Sequence, residues 1–302
     1  LTGRLVLVAP GRAARPHTVA REEPSGPSAN CPFCAGHEHE TPPEVYRTGE
    51  GDPDTPGWRV RVVPNLYPIV GPHAAPGATG AHEVVVLSPA HDHSFAQLSE
   101  REALEVMTVL RARARLHADA GRRHVQVLVN SGRAAGASIA HPHAQLLALD
   151  VVPPAVADAE ARFESTDALH ADLDDAVARD LVVLDGAAPA WCPWASASPA
   201  AVRIAVRDAG PHFERATDEQ LDAVTRTLQR VLGALAVELG DPPYNVVVHT
   251  GPAGTAARWS RWYVEVVPRV TFVAGFELGT GIFVNSASPE ASAEQLRSAL
   301  SG

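Results

Sequence analysis

Two stretches of this 302-residue chain run through the same order of elements: strand, long helix, strand, glycine turn, strand. In the first, residues 58–63 (WRVRVV) alternate at period two and stop at Pro64, as a half-buried strand does. Residues 83–87 (EVVVL) form a continuous apolar run closed by Ser88-Pro89, the mark of a buried strand. Residues 99–120 place Leu104, Met107, Val109, Leu110 and Leu116 at helical spacing, and Ser99 with Glu102 makes a capping box. Strands follow at 125–130 (VQVLVN) and 143–149. The second stretch gives a strand at 202–206 and an amphipathic helix at 217–239, opened by Thr217 and Gln220. Strands at 246–249 and 262–267 complete it. Self-similarity on this scale predicts an α+β chain built from two copies of one unit, each an antiparallel sheet with a packed helix. The expected halves are residues 1–160 and 161–302. The join falls within 150–190, which holds Pro153-Pro154, an acidic helix and Asp185-Gly186. Ahead of the first unit come a short strand at 4–8 and a loop at 31–57 rich in Cys, His, Pro and Glu.

A hydrophobic content of 45% is enough to bury a large core. The formal net charge is −10, and all 25 cations are arginine, because no lysine occurs. That excludes a P-loop lysine, a lysine Schiff base and a lysyl-adenylate nucleophile. An acidic chain also argues against nucleic acid as a partner, since phosphate neutralisation needs a basic face. No apolar run approaches the ~18–20 residues of a membrane span, and the first residues lack the long apolar core and cleavage site of a signal peptide. Three cysteines, Cys31, Cys34 and Cys192, make a poor disulfide framework, which points to a reducing, cytoplasmic compartment.

Chemistry concentrates between Asn130 and Gln145, in NSGRAAGASIAHPHAQ. Gly132 and Gly136 let backbone come close to a bound group, glycine amides in a turn can cradle an anion, and Ser138 adds a hydroxyl. On a strand, His141, His143 and Gln145 would share a face. Cys31 and Cys34 stand in a C-x-x-C, which supplies two soft ligands at zinc-compatible spacing but also suits two buried thiols or a redox pair.

The block Asn130, Gly132, Gly136, Ser138, His141, His143, Gln145 resembles the active-site motif of the galactose-1-phosphate uridylyltransferase family, a branch of the histidine triad superfamily. LTGRLVLVAPGRAARP, CPFCAGHEHETPPEVYR, WRVRVVPNLYPIV, HEVVVLSPAH, PPYNVVVHTGP and AGFELGTGIFVN also resemble family segments, so the likeness covers nearly the whole chain. The resemblance implies two histidine-triad-like halves and nucleotidyl transfer between a nucleotide sugar and a hexose 1-phosphate. His143 would attack the α-phosphorus, giving a covalent nucleotidyl-histidine. Gln145, Ser138 and Asn130 would donate to the phosphoryl oxygens, with Gly136 in the turn around them. It makes Arg12 and Arg15 phosphate clamps and Asn65 a nucleoside contact. It assigns a structural zinc to Cys31, Cys34, His91 and His141, with His91 preferred over His93 by its distance to Leu98-Ser99. His37, His39 and His82 read as surface residues or neighbours of the site. The resemblance further implies a homodimer whose active sites are completed across the interface, Glu277 reaching the partner's sugar.

The chain departs from the family pattern in its second half. Tyr263 stands where some relatives carry a histidine that binds a second metal, so His249 and Glu265 remain as an incomplete set. Where members acting on galactose carry a glutamine, residues 279–283 read GTGIF, and an acid common in relatives is absent around 198–201. Trp191, Trp194, Trp259 and Trp262 read as core residues. An alternative enzyme with the same intermediate is a nucleotide-sugar phosphorylase, with inorganic phosphate as acceptor; a hydrolase would use water. A non-catalytic nucleotide-binding module is the reading from another class.

Overall fold

The computed structural model describes residues 5–10, 31–72, 74, 77–163, 166–255 and 261–301. Arg12, Arg15 and Trp259 lie outside the described residues. The strands and helices in chain order are β1 (Leu5–Val8), β2 (Tyr46–Gly49), β3 (Trp58–Pro64), β4 (Gly80–Val86), α1 (Glu100–Asp119), β5 (His124–Ser131), β6 (His143–Leu149), α2 (Pro154–Phe163) and α3 (Ala168–Ala178). They continue with β7 (Val182–Leu184), β8 (Ala190–Trp191), β9 (Val202–Ile204), α4 (Asp218–Leu239), β10 (Tyr244–His249), β11 (Tyr263–Pro268), α5 (Gly275–Thr280), β12 (Ile282–Asn285) and α6 (Pro289–Ser301).

The long elements fall where periodicity predicts them, and α1 and α4 carry the expected capping boxes at Ser99–Glu102 and Thr217–Gln220. The two expected antiparallel sheets prove to be one. Ten strands run in the order β2-β3-β4-β6-β5-β10-β11-β9-β8-β7. The order reads outward symmetrically from the β5–β10 seam, with five strands from residues 46–149 on one side and five from residues 182–268 on the other. At the seam Val127, Val129 and Ser131 pair antiparallel with Val248, Val246 and Tyr244. Both repeats bring a valine-rich strand to this line, and their ladder groups satisfy one another instead of facing water. A separate parallel pair joins β1 to β12, Val8 lying opposite Asn285.

Side chains alternate across the sheet. One face presents Val127, Leu146, Ala148, Val246, Val248, Val264 and Val266, all buried. The apolar stripes of α1 (Val106, Met107, Leu110) and α4 (Leu228, Leu232, Leu235) cover it. Registers place Arg61, His82, Asn130, His143, Gln145, Asn245, His249, Arg203 and Glu265 together on the other face. Trp191 and Trp262 are core residues as expected, whereas Trp194 is 43% exposed, with the Arg179 guanidinium 4.1 Å above its ring.

Candidate active site

The loop from Cys31 packs Cys31 and Phe33 onto Val63, Val84 and Val86 of the polar sheet face. This brings Cys31, Cys34, His91 and His141 together, their ligand atoms all within 4.8 Å of one another. Cys34 Sγ lies 3.3 Å from His91 Nδ1 and 3.6 Å from His141 Nδ1; Cys31 Sγ lies 3.7 Å from His141 Nδ1. A tetrahedral zinc bound by sulfur and nitrogen would set such edges at ~3.5 Å, so the donor set fits a closed metal site. His141 Nε2–H donates to the Ser88 carbonyl at 2.8 Å, which leaves Nδ1 as the ligand atom. Burial, against that hydrogen bond, holds His141 down at about 4, so the ring is neutral and able to ligate. Burial and the neighbouring Cys31 push the Cys34 thiol up to about 11. His93 is exposed and outside the cluster.

Pro142 separates His141 from β6, so His141 precedes the strand and enters the cluster, while His143 and Gln145 project together from the strand. His143 is 6% exposed. Its Nδ1–H donates to the His141 carbonyl at 2.8 Å, which leaves Nε2 with its lone pair. The Phe33 ring meets it edge-on, with centroids 5.3 Å apart. Burial lowers its pKa below the ordinary imidazole value. His143 lines a small cavity of about 30 Å³ with Asn130, Ser131, Gly132 and Tyr244. His143 and the first residue of the glycine turn therefore border one cavity.

The turn needs its glycines. Gly132 has φ 81°, and a Cβ there would stand 2.9 Å from Pro243 Cβ; Gly136 is left-handed at φ 95°. Asn130, one residue past the Val129–Ala144 pair, sits beside His143. Its Nδ2 lies 3.7 Å from where a Cβ on Gly136 would be, and its Oδ1 accepts from Asn245 Nδ2 at 2.8 Å. Ser138 is exposed.

Asn65 begins the loop after β3, where its Oδ1 accepts from the Tyr67 amide at 2.8 Å. Between Asn65 and Gln145 stands His82, which is 7% exposed; its Nε2 is 3.2 Å from Asn65 Nδ2 and 2.9 Å from Gln145 Oε1. Of the two readings the sequence offers for His82, surface residue or neighbour of the site, the structure gives the second; Asn245, inside a valine-rich strand, is the residue the sequence does not single out. Glu277 lines a different cavity, of about 110 Å³, with Arg203, Glu265 and Arg269, so the chain by itself does not bring it to His143. In the second repeat, His249 stacks on Tyr263 with centroids 4.4 Å apart and lies 3.1 Å from Glu265 Oε2.

Residues 72–153, which span β4 through β6, match the family model for the galactose-1-phosphate uridyl transferase N-terminal domain. Over 325 aligned residues the chain is 32% identical to the ADP-glucose phosphorylase of Arabidopsis thaliana, covering 98% of this chain and 90% of that one. The chain belongs to the galactose-1-phosphate uridylyltransferase family. Its fold is that of this family: the Arabidopsis thaliana ADP-glucose phosphorylase solved with bound ADP-glucose superposes with a TM-score of 0.85 at 29% identity, over 98% of this chain and 95% of that one. A solved uridylyltransferase superposes with a TM-score of 0.75 at 26% identity, over 93% and 94% of the two chains. The galactose-1-phosphate uridylyltransferase of Cryptococcus neoformans is 26% identical over 353 residues. Family membership makes the chain an enzyme of the nucleotidyltransferase and phosphorylase kind. Among the described residues no helix is long and apolar enough to cross a membrane.

Proposed function

We propose that the chain transfers a nucleoside monophosphate from a nucleotide sugar through a covalent intermediate on His143. The observation that carries this reading is the tautomer of His143: Nδ1–H is engaged by a main-chain carbonyl, so Nε2 keeps its lone pair, on a ring that borders the same cavity as Asn130 and Gly132. Nε2 attacks the α-phosphorus, the bond to the bridging oxygen breaks, and a sugar 1-phosphate leaves with that electron pair. The ring then carries positive charge, shared with the hydrogen bond from Nδ1–H to the His141 carbonyl. In the second step an oxygen of a phosphate-bearing acceptor attacks phosphorus, and the N–P electron pair returns to Nε2, giving ping-pong kinetics. Asn130, Ser138 and Gln145 donate to the phosphoryl oxygens while charge redistributes over them. Gly136 keeps that side of the turn open. Asn65 contacts the nucleoside, and Arg12 and Arg15 clamp phosphates.

For the acceptor, the 32% identity to an ADP-glucose phosphorylase over nearly the whole chain favours inorganic phosphate, with an ADP-sugar as donor. A hexose 1-phosphate acceptor, the first expectation from the sequence, is supported by the family model and by the uridylyltransferase relatives. Cys31, Cys34, His91 and His141 would hold zinc, which supplies a cross-link between loops that fixes the His141 carbonyl behind His143. The active form is a homodimer in which Glu277 reaches the partner's sugar. Exposed Leu5, Leu7, Phe272, Phe276 and Leu278 offer the apolar surface such an interface needs.

The test is mass spectrometry after mixing the protein with ADP-glucose, UDP-glucose and GDP-glucose separately. One nucleoside monophosphate should be gained on His143, the added mass naming the base. Phosphate or a hexose 1-phosphate, added next, should discharge it, and the one that does so identifies the acceptor. His143→Ala should gain nothing; gain elsewhere on the chain removes His143 from the role.

A further inference from the structure

The two carboxamides beside His143 share a feature that their positions alone do not require. Each has its oxygen turned away and held, and in each case the holding group is oriented by a main-chain atom whose role cannot be reversed.

For Gln145 the orienting atom belongs to Ile69. Its backbone N–H, which can only donate, lies 3.3 Å from His82 Nδ1. His82 Nδ1 is therefore the acceptor, and the neutral ring carries its hydrogen on Nε2. Burial keeps that ring neutral by lowering its pKa. Nε2–H then donates to the Gln145 atom 2.9 Å away, which must be oxygen. Asn65 Nδ2, its own oxygen fixed by the Tyr67 N–H, lies 3.2 Å from the same Nε2 and would donate only to the opposite tautomer; the Ile69 N–H at Nδ1 and the shorter 2.9 Å contact to Gln145 set the hydrogen on Nε2 against it. For Asn130 the orienting atom is the Ala135 carbonyl oxygen, which can only accept. Asn245 Nδ2 donates to it at 2.8 Å and also lies 2.8 Å from an Asn130 atom, which again must be oxygen. Among the described residues neither the Gln145 nor the Asn130 amide nitrogen makes a hydrogen bond within the protein. Both side chains project from the face that carries His143.

We infer that His82 and Asn245 are positioning residues that hold the carboxamides of Gln145 and Asn130 oxygen-back, so that both NH2 groups face the phosphoryl group attacked by His143. The inference rests on the nucleotidyl-transfer reading for its chemistry, but the clamps themselves do not. An amide free to flip would present its oxygen to a phosphoryl oxygen in half of its states, opposing the transfer. The clamps also join parts far apart in the chain. His82 ties the Asn65 loop to the phosphoryl donor, and Asn245 reaches across the seam from the second repeat.

The experiment has one arm that needs no turnover. Nitrogen NMR of the full-length protein labelled in histidine reads the His82 tautomer directly; Nε2–H is expected, and Nδ1–H overturns the His82 clamp whatever the activity. The kinetic arm measures nucleotidyl-enzyme formation by rapid quench, with ADP-glucose as probe. His82→Leu and the isosteric Asn245→Asp should each slow formation ~10–100-fold, a fraction of what loss of a direct oxyanion donor costs. AMP affinity should change less than ~3-fold, since the ground state gains little from the lost donor. His82→Gln, which keeps a donor at the Nε2 position, should restore most of the rate. His82→Leu added to Gln145→Leu should slow the reaction no further, because both act through one amide. Equal rates in His82→Gln and His82→Leu, or additive losses in the double variant, overturn the proposal. If the wild type takes up no nucleotide from any donor, the functional reading fails; the tautomer, and the side-chain amide resonances of Gln145 and Asn130 in Asn245→Asp, then decide the clamps alone.

Discussion

A histidine can attack phosphorus only while one ring nitrogen is unprotonated, so the environment of His143 sets the pH range of the chemistry. Burial disfavours the cation and outweighs the hydrogen bond to the His141 carbonyl, so the folded-state pKa lies below the ordinary value. The reactive neutral form therefore persists as pH falls through ~6.5, and the rate drops only at lower pH. Nucleotidyl-enzyme formation followed by rapid quench between pH 5 and 8 should be flat down to about 6.5 with its acid limb below that; a limb centred above 6.5 contradicts a shielded ring. His143, Gln145 and Asn130 were legible because their spacing along one short block carries the pattern. The gathering of Cys31, Cys34, His91 and His141 into one cluster was legible only through the family resemblance, since a C-x-x-C alone also fits buried thiols. His82 was not, because what makes it matter is a neighbour 63 positions away on a paired strand. A contact set by strand register leaves no local trace in the sequence.

At the level of elements, the cysteine loop has little structure of its own. Residues 31–37 contain no helix or strand, and a short 3₁₀ turn at Glu38–Glu40 is the first regular piece. Residues 31–37 are held to the sheet by a small apolar contact around Phe33 and by the Cys/His cluster, and the following turn by Trp58 Nε1–H donating to Glu38 Oε1 at 2.8 Å. Losing one ligand should release the loop and with it the carbonyl behind His143. Cys34→Ser should therefore lose zinc, read by elemental mass spectrometry, and its melting temperature should fall by about 5 °C or more, given ~2–4 °C per kcal/mol in a chain of this size. An unchanged metal content would exclude Cys34 as a ligand. The long elements α1, α4, β5 and β6 could be read from periodicity. The short ones could not: β8 has two residues and β7 three, too few for any alternation to register. The α5 turn spans six residues and has no buried stripe.

On the scale of the whole molecule, the separation of Glu277 from His143 makes a specific prediction about assembly. If the sugar is held by the partner's Glu277, a His143→Ala subunit and a Glu277→Ala subunit are each inactive as homodimers, but a mixed dimer keeps one intact site. Mixing the two variants after partial unfolding and refolding should restore about a quarter of wild-type turnover, as random pairing places one good site in half of the dimers. No recovery, with dimers present by sedimentation, would assign Glu277 to its own chain's site, and an active Glu277→Ala homodimer would assign it to none.

The seam between β5 and β10 was the largest feature hidden from the sequence. Both strands read correctly as strands, yet nothing in VQVLVN or YNVVVH tells a strand that finds its partner in the same repeat from one that finds it in the other. Pairing them has a price for the isolated repeats. Expressed apart, each would display five or six residues of bare valine-lined ladder, the surface from which sticky edge-to-edge stacking and fibrous deposits grow. Produced together in one cell, the two fragments would cap each other's open edge, so this protein is a natural candidate for a split reporter whose signal depends on reunion of its pieces.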